Sequence, residues 1–150
     1  MQPTLAGYIA FLRDIVQIPV GVLPDDSPYI TTSYELSVQL VYCPLQGVGN
    51  GFIYVQAVYN LATDILVNIA QDQPGQTPPD FWAQVREKYN IGTFVAGVIQ
   101  SSNNVDTGQS MVVPEAFKEL TIANLQNLKT PWGRAYLGFV QSWGQDWGIS

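Results

Sequence analysis

The chain has 150 residues, of which 47% are apolar and only 12% are charged, and its formal net charge is −6. This composition suits one globular domain over residues 1–150 and excludes the highly charged, apolar-poor class of disordered chains. It also excludes His-based catalysis, zinc sites built from His or several Cys, and an intrachain disulfide, because the chain has no histidine and one cysteine.

The low content of charged residues bears on how the protein meets its surroundings. Typical soluble domains contain about 25% charged residues, and the cores of protein interfaces are depleted in them. The composition therefore favours a subunit that buries surface against copies of itself or other proteins; a monomer with a neutral polar surface is the alternative. The basic residues form no run, which argues against specific nucleic-acid binding. Neither a signal peptide nor a membrane span is predicted.

The first predicted helix covers residues 4–18. Thr4 is its expected N-cap, and Pro19 is expected to end it. Its apolar residues recur at helical spacing and form one stripe, which consists of Leu5, Tyr8, Ile9, Leu12 and Val16. Prolines then punctuate a loop over residues 19–29.

Residues 33–43 satisfy two patterns. Apolar and polar side chains alternate as in a strand, whereas Tyr34, Val38 and Val41 have helical spacing with Ser33 as a cap. No second clear strand supplies a partner, and an isolated strand leaves its backbone groups unpaired. We therefore expect a helix here.

A Gly-rich loop over residues 44–51 separates this segment from the longest apolar segment of the chain. Residues 52–70 keep near-helical spacing, and polar interruptions predict a break near Asn60. Residues 71–79 contain three prolines and predict a second loop.

The C-terminal half mixes helical and irregular patterns. Asp80 begins a short predicted helix, residues 91–99 fit either a buried helix or an extended run, and the polar residues 100–110 predict a loop. Three further helix starts are expected at Pro114, Thr121 and Thr130–Pro131. The sum is a mainly α, single small helical domain with long loops and room for one short strand pair.

The carboxylates do not form a catalytic pattern. Asp25 and Asp26 are adjacent in a Pro-flanked loop, where such residues are typical turn formers. Glu115 and Glu119 lie four residues apart, which fits a solvated helix face. We therefore predict a protein that is not an enzyme and that has no cofactor or metal site.

The glycine string at 47–51 and the single cysteine could have chemical roles, but both are interpreted as structural. The string Gly47-x-Gly49-x-Gly51 is not followed by the lysine of a phosphate-binding loop. It therefore predicts a flexible connector. Cys43 has apolar neighbours and is expected to be a buried, inert thiol.

Two stretches are the predicted interaction patches, on the basis of amphipathic spacing and aromatic content. One is the helix over 4–18, and the other is the aromatic segment over 131–147, for which core packing is the alternative. The candidate interface residues are Leu5, Tyr8, Leu12, Trp132, Tyr136, Phe139, Trp143 and Trp147.

Three stretches carry a resemblance to a known family. The segment VVPEAFKELTIANLQNLKTPWGRAYLGFVQSWG, from Val112 to Gly144, resembles a small virion protein of tailed bacteriophages. The opening TLAGYIAFLRDIVQIP with its following LPDDSPYI agrees, as does the central VYNLATDILVNIAQD. Together they run along most of the chain.

This resemblance implies a structural protein of the virion that forms a ring near the head–tail junction, as a neck, collar or connector. The implied partners are copies of itself and the portal, adaptor or tail-tube proteins, while DNA passes nearby without specific binding. No catalytic or cofactor-binding residue is implied.

Other functions stay open at this point. A tail-tube or capsid-decorating role fits the same resemblance. A carbohydrate- or host-surface-binding module would use the C-terminal aromatic residues. A hydrolase working through carboxylates such as Asp25 or Glu115 is the remaining alternative.

Overall fold

Five α-helices with both ends in the described part of the chain make up most of the fold. This computed structural model describes residues 1–41, 43–92, 101–104, 107–110 and 126–143. The helices are α1 (Leu5–Asp14), α2 (Pro28–Leu40), α3 (Phe52–Ile69), α4 (Phe81–Lys88) and α5 (Pro131–Trp143). Two 3₁₀ turns, Cys43–Gly47 and Gly49–Gly51, connect α2 to α3. The expected mainly α class of a single small domain is confirmed.

α3 is the central helix. Twelve of its 18 residues are buried, so neighbours cover it on nearly every side, as an all-round apolar helix requires. It runs through Asn60 without the predicted break. The Asn60 side chain donates to the Gln56 carbonyl oxygen at 2.8 Å and so finds a partner within the helix. The prediction of a break is therefore wrong.

The segment Gly49–Ile69 is long and apolar enough to cross a membrane, judged by length and composition alone. In this fold, 67% of its apolar window is buried inside the protein. A helix that is mostly buried inside its own protein passes the same test of length and composition.

α1 begins as the sequence predicts and ends earlier. The Thr4 hydroxyl accepts a backbone N–H of the first turn at 3.1 Å, which confirms the predicted cap. The helix ends at Asp14 instead of residue 18, and Gln17 takes a φ of 63°. A residue in this left-handed region commonly follows a helix end. Pro19 consequently lies in the loop and does not stop the helix.

α2 decides the ambiguity of residues 33–43 in favour of a helix as far as Leu40. The helix starts at Pro28, whose missing N–H is tolerated in the first turn. Ser33 therefore lies inside the helix, and its predicted capping role is wrong. Its buried hydroxyl donates to the Ile30 carbonyl oxygen at 3.1 Å and lies 3.4 Å from the Tyr8 hydroxyl.

The segment predicted to be a loop over 100–110 contains a hairpin. β1 (Ser101–Asn104) pairs antiparallel with β2 (Thr107–Ser110), so the loop prediction is wrong for these residues. Backbone pairing between two adjacent short runs needs no apolar alternation, which is why the pattern gave no strand signal. The predicted segment 91–99 and the helices expected from Pro114 and Thr121 lie mostly outside the described residues.

The helices have defined directions relative to α3. The backbone of Met1, just before α1, lies against Gly51, just before α3, so the two helices start side by side. α2 also packs against α3 and is joined to it through residues 41–51.

α5 runs in the opposite direction to α3. The hydroxyl of Thr130, just before α5, donates to the carboxylate of Asp64, and only five residues of α3 follow Asp64. α5 nevertheless packs against α3 more extensively than any other described pair of elements does. It therefore extends back along α3, towards the end at which α3 begins.

Candidate functional site

Four exposed large apolar side chains lie in the second half of α2, at the start of α3 and at the end of α5. Leu36 and Leu40 share one face of α2, Phe52 starts α3, and Trp143 ends α5. Leu40, Phe52 and Trp143 are each more than half exposed, at 62%, 52% and 54%. We name these four residues the apolar end.

The sequence that forms the apolar end carries almost no charge. No Asp, Glu, Lys, Arg or His occurs from Leu36 to Thr63, and Arg134 is the one charged residue within α5. Charged and polar residues normally occupy the exposed face of a surface helix. Exposed aromatic and aliphatic side chains in a stretch without charge are instead typical of the core of a protein interface.

The connection between α2 and α3 is an ordered turn at this end. Gly49 and Gly51 have φ values of 57° and 80°, which favour glycine, and Gly51 is also closed in by the Met1 backbone. Glycine is therefore required at these two positions by backbone conformation, and at Gly51 also by the close approach of Met1.

Cys43 lies in the same connection and is exposed, so its predicted burial is wrong. Leu45 fills the core at this point instead, with 1% of its surface exposed. Apolar neighbours in the sequence did not predict which side chain of the 3₁₀ turn points inward.

A cleft of about 290 Å³ lies at the opposite end of α3. Its walls come from the segment after α1, the end of α3, α4 and the start of α5. They are predominantly apolar and include Val16, Ile18, Val67, Trp82, Val85 and Trp132. A cleft of this size is at the small limit of ligand pockets and matches one or two large side chains.

Among the residues that line the cleft, one is a cation, and it lies beside an aromatic ring. The Lys88 ammonium lies 5.4 Å from the centroid of the Tyr89 ring. The Tyr89 ring in turn packs edge-on against Trp132, with centroids 5.7 Å apart. Trp132 therefore belongs to the wall of the cleft.

A polar joint fixes the start of α5 on α3. The Thr130 hydroxyl accepts the N–H of Gly133 at 2.9 Å and donates to the carboxylate of Asp64. All three residues are buried. One hydroxyl thus caps α5 and satisfies a buried carboxylate of α3. We name Asp64, Thr130 and Gly133 the joint.

The environment of Asp64 resists ionisation. Burial raises the pKa of Asp64 to about 6, and the hydrogen bond from Thr130 offsets part of that rise. Basic side chains near this end have other partners: Arg13 pairs with Asp25, and Arg86 donates to the Val67 and Ala70 carbonyl oxygens. The carboxylate is closed off from solvent, so it is placed to hold helices together and has no access to a substrate.

Gly133 is required at the joint for steric reasons. A Cβ atom on Gly133 would overlap the backbone of Asn127. Gly138, on the same helix, has open space around it. The backbone of α5 therefore passes close to Asn127 at Gly133, whereas Gly138 faces open space.

The carboxylates considered for catalysis are not brought together in the described part of the chain. Asp25 pairs with Arg13, whose guanidinium also donates to the Ile18 carbonyl oxygen at 2.8 Å, so this aspartate holds the loop after α1. Glu115 and Glu119 lie outside the described residues. Among the described residues, no group of three or more His, Cys, Asp or Glu is arranged to hold a metal ion.

The N-terminal candidate patch divides between the core and its edge. Tyr8 and Leu12 are completely buried against α2 and α3, so they form the protein's own core and the prediction that they meet a neighbour is wrong. The apolar stripe of α1 packs against the core of the subunit. Leu5 is half-buried against the same core.

The C-terminal candidate patch also divides. Trp132, Tyr136 and Phe139 are half-buried and pack against the core, with Trp132 also in the wall of the cleft. Trp143 is exposed at the apolar end. Trp147 lies outside the described residues.

Sequence reasoning missed Leu40 and Phe52. The signal was available as the run without charge from Leu36 to Thr63, which is longer than α2 or α3 alone. Helical periodicity could not find it, because the exposed apolar residues lie at the helix ends, outside the main stripe.

Comparison with known proteins adds no relative to these observations. No protein family, no curated protein and no solved structure matches the chain.

Proposed function

We propose that the chain is a non-enzymatic structural subunit that self-assembles through its apolar end into a ring at the head–tail junction of a tailed-bacteriophage virion. The single observation that carries self-assembly is the exposure of these four apolar side chains, three of them in or next to a stretch without charged side chains. The resemblance of Val112–Gly144 and the two shorter stretches to a virion protein is the basis for proposing a phage particle and a position at its head–tail junction.

The size of the apolar end sets how strong one contact can be. Its four side chains together expose roughly 400 Å². The largest exposed apolar patch of a typical monomer has about this area and is often functional. Burying that area contributes about 10 kcal/mol at ~25 cal/mol per Å², while association costs about 4–15 kcal/mol. A single contact is therefore weak, and a closed ring, in which every subunit makes two contacts, is the stable form.

The other proposed partners are the portal, adaptor and tail-tube proteins that flank such a ring. The loop over 71–79 and the segment over 100–110 are the proposed bridging elements. Within the first, Asp72 fixes the loop to α4 by accepting the N–H groups of Trp82 and Ala83 at 2.8 and 3.0 Å. A loop held in this way can present a defined surface to a partner.

The native mass of the purified protein across a concentration series tests the proposal. Light scattering after size exclusion would give the mass, and negative-stain images would show the symmetry of large species. We expect closed rings of one size above a threshold concentration. Adding purified portal or tail-tube protein would then show which of them binds the ring.

A monomer at every concentration, with and without these partner proteins, would contradict self-assembly. Quenching of tryptophan fluorescence by glycans under the same conditions would then favour the carbohydrate-binding alternative, with Trp132 in the cleft wall as the responding residue.

A further inference from the structure

We propose that α5 is held on α3 by the protonated carboxyl group of Asp64, and that ionisation of this group favours a state in which α5 is detached. The device lies within one subunit and does not depend on the proposed assembly. It is built on the joint, where Asp64 contributes the one Asp, Glu, Lys or Arg side chain of α3.

The joint buries the Asp64 carboxyl group and gives it a hydroxyl partner instead of a cation. Asp64 is 3% exposed, and Thr130, whose hydroxyl donates to the carboxyl group, is completely buried. An ionised carboxylate without a compensating cation is strongly disfavoured away from water, whereas a neutral carboxyl group is accommodated when it is hydrogen-bonded. A neutral carboxyl group still accepts the Thr130 hydroxyl, so protonation leaves the joint intact.

The basic side chains of the elements around α3 do not compensate a charge on Asp64, because each one in the described part of the chain contacts another group. The partners are Asp25 for Arg13, the Val67 and Ala70 carbonyl oxygens for Arg86, the Tyr89 ring for Lys88, the Ile91 carbonyl oxygen for Lys129 and the Leu128 carbonyl oxygen for Arg134. Within the same part of the chain, the one salt bridge is that of Arg13, so no described cation pairs with Asp64.

The other titratable groups on these elements keep their charge state in the range where Asp64 titrates. The acidic side chains of α1, α2 and α4 are exposed to solvent, namely Asp14, Glu35 and Glu87. Burial raises the pKa of each of the tyrosines Tyr8, Tyr34 and Tyr136, so their hydroxyls stay neutral. Among the described groups between α3 and α5, only Asp64 therefore changes its charge near neutral pH.

Water reaches the Asp64 carboxyl group when α5 moves. The carboxyl group points at Thr130, the residue before α5, and the same hydroxyl caps the helix by accepting the Gly133 N–H at 2.9 Å. Leu137, one turn further along α5, is 3% exposed, so detachment also uncovers apolar surface. Displacing α5 does not require α1 or α2 to leave α3. The detached state is therefore a local opening and differs from global unfolding.

The direction of the pH effect follows from the surroundings of Asp64. Burial raises the pKa of Asp64 to about 6 while α5 is attached, and the reference value of 3.8 applies once water reaches the group. The attached state is therefore favoured at low pH and loses this advantage as pH rises through about 6. A difference of about two pKa units changes the ratio of detached to attached molecules roughly a hundredfold.

Hydrogen exchange of the wild type from pH 4 to pH 7.5 tests the proposal, at a protein concentration too low for assembly. Exchange rates of peptides from α5 and α3 are divided by the intrinsic rates at each pH, so that structural protection is compared. We expect the protection of residues 131–143 to fall roughly a hundredfold as pH rises through about 6. A low concentration of urea should reduce it less than the protection of buried α3 amides, because opening α5 exposes less surface than global unfolding.

Asp64→Asn is the test variant, and Asp14→Asn is its matched control, since Asp14 is an exposed carboxylate on α1. Asp64→Asn should keep the protection of α5 nearly constant over the same pH range, because the amide does not ionise. Asp14→Asn should reproduce the wild-type profile. The wild-type titration stands on its own if Asp64→Asn does not fold.

Three results would overturn the proposal. Constant protection of α5 in the wild type across the pH range would exclude the effect, and an unchanged pH profile in Asp64→Asn would assign it to another group. Equal protection and equal urea dependence of α5 and α3 amides at every pH would show that α5 leaves only when the whole domain unfolds. Failure of the wild type to assemble, by contrast, would count against the proposed function and not against this opening.

Discussion

The joint, near the C-terminal end of α3, is closely packed, whereas the apolar end leaves large apolar side chains exposed. At the joint, a buried carboxylate, a capping hydroxyl and a glycine under a neighbouring backbone leave no unused polar group, and no described buried side-chain nitrogen or oxygen lacks a hydrogen-bond partner. At the apolar end, Leu40, Phe52 and Trp143 remain exposed. Close packing at the joint therefore stabilises the fold, while the apolar end contributes little to folding and is available for association.

The largest expected effect of a single substitution on folding is at Gly133. The Gly133→Ala variant should lose about 3 kcal/mol of unfolding free energy or more, because its Cβ atom would overlap the Asn127 backbone, which cannot move like a side chain. Gly138→Ala is the matched control on the same helix. It should be neutral or gain up to about 1 kcal/mol, because alanine favours helices. Urea unfolding measures both, and equal stabilities would remove the joint from the explanation.

The pH dependence of stability should report on Asp64. Its pKa is about 6 in the folded protein against 3.8 for the reference carboxyl group, so the folded state holds the proton more tightly. This contribution is fully present below pH ~4 and is lost as pH rises to about 6, which amounts to about 3 kcal/mol at 1.36 kcal/mol per pKa unit. The measurement is urea unfolding from pH 4 to pH 7.5.

The Asp64→Asn variant supplies the control for that titration. Asparagine keeps an oxygen for the Thr130 hydroxyl and has no charge to bury, so the difference in stability between variant and wild type should move in the variant's favour as pH rises. A difference that stays constant across the range would mean that Asp64 does not titrate in this way.

A smaller effect is expected at Asp72, which caps α4 from the preceding loop. The Asp72→Ala variant should lose about 1 kcal/mol, as other capping residues do, because the N–H groups of Trp82 and Ala83 lose their acceptor. Asp80→Asn is the control: Asp80 directly precedes α4 but makes no side-chain capping bond, so little change is expected. A larger loss for Asp80→Asn would reverse these roles.

The pKa of Asp72 gives the opposite pH signature to that of Asp64. Burial raises it, but the hydrogen bonds from Trp82 and Ala83, and that from Gln76, outweigh burial and hold it below its usual value. Its contribution to stability is therefore present at neutral pH and lost as pH falls through the acidic range. Wild type and Asp72→Ala should converge in stability in acid.

The smallest effect on folding is expected at the apolar end. Leu40→Gln and Phe52→Gln should change the unfolding free energy by no more than about 0.5 kcal/mol, because exposed side chains lose little packing when they are replaced. Leu137→Gln on α5 is the buried comparison and should lose several times as much.

Local signals in the sequence were sufficient for much of the fold. Thr4 as a cap and Pro131 as the first residue of α5 are set by neighbouring backbone, so both were predicted correctly. The start of α2 at Pro28 was missed, because a loop prediction based on proline frequency overrode proline's preference for the first helical turn.

Features that depend on residues far apart in the sequence could not be predicted from local sequence patterns. Asp64 reads as a polar interruption of α3, and its partner Thr130 is 66 residues away. Likewise, the Asp72 carboxylate caps a helix ten residues further on. The exposure of Leu40, Phe52 and Trp143 also needs the fold, because it depends on which face of each helix the neighbouring helices cover.

The most direct test of the apolar end is sedimentation equilibrium of the wild type beside the triple variant Leu40→Gln, Phe52→Gln and Trp143→Gln. We predict that the wild type associates as concentration rises, and that the variant stays monomeric while it unfolds in urea within about 1.5 kcal/mol of the wild type, three times the bound for one exposed site. Equal association of the two proteins would contradict the central claim that this end is the assembly surface.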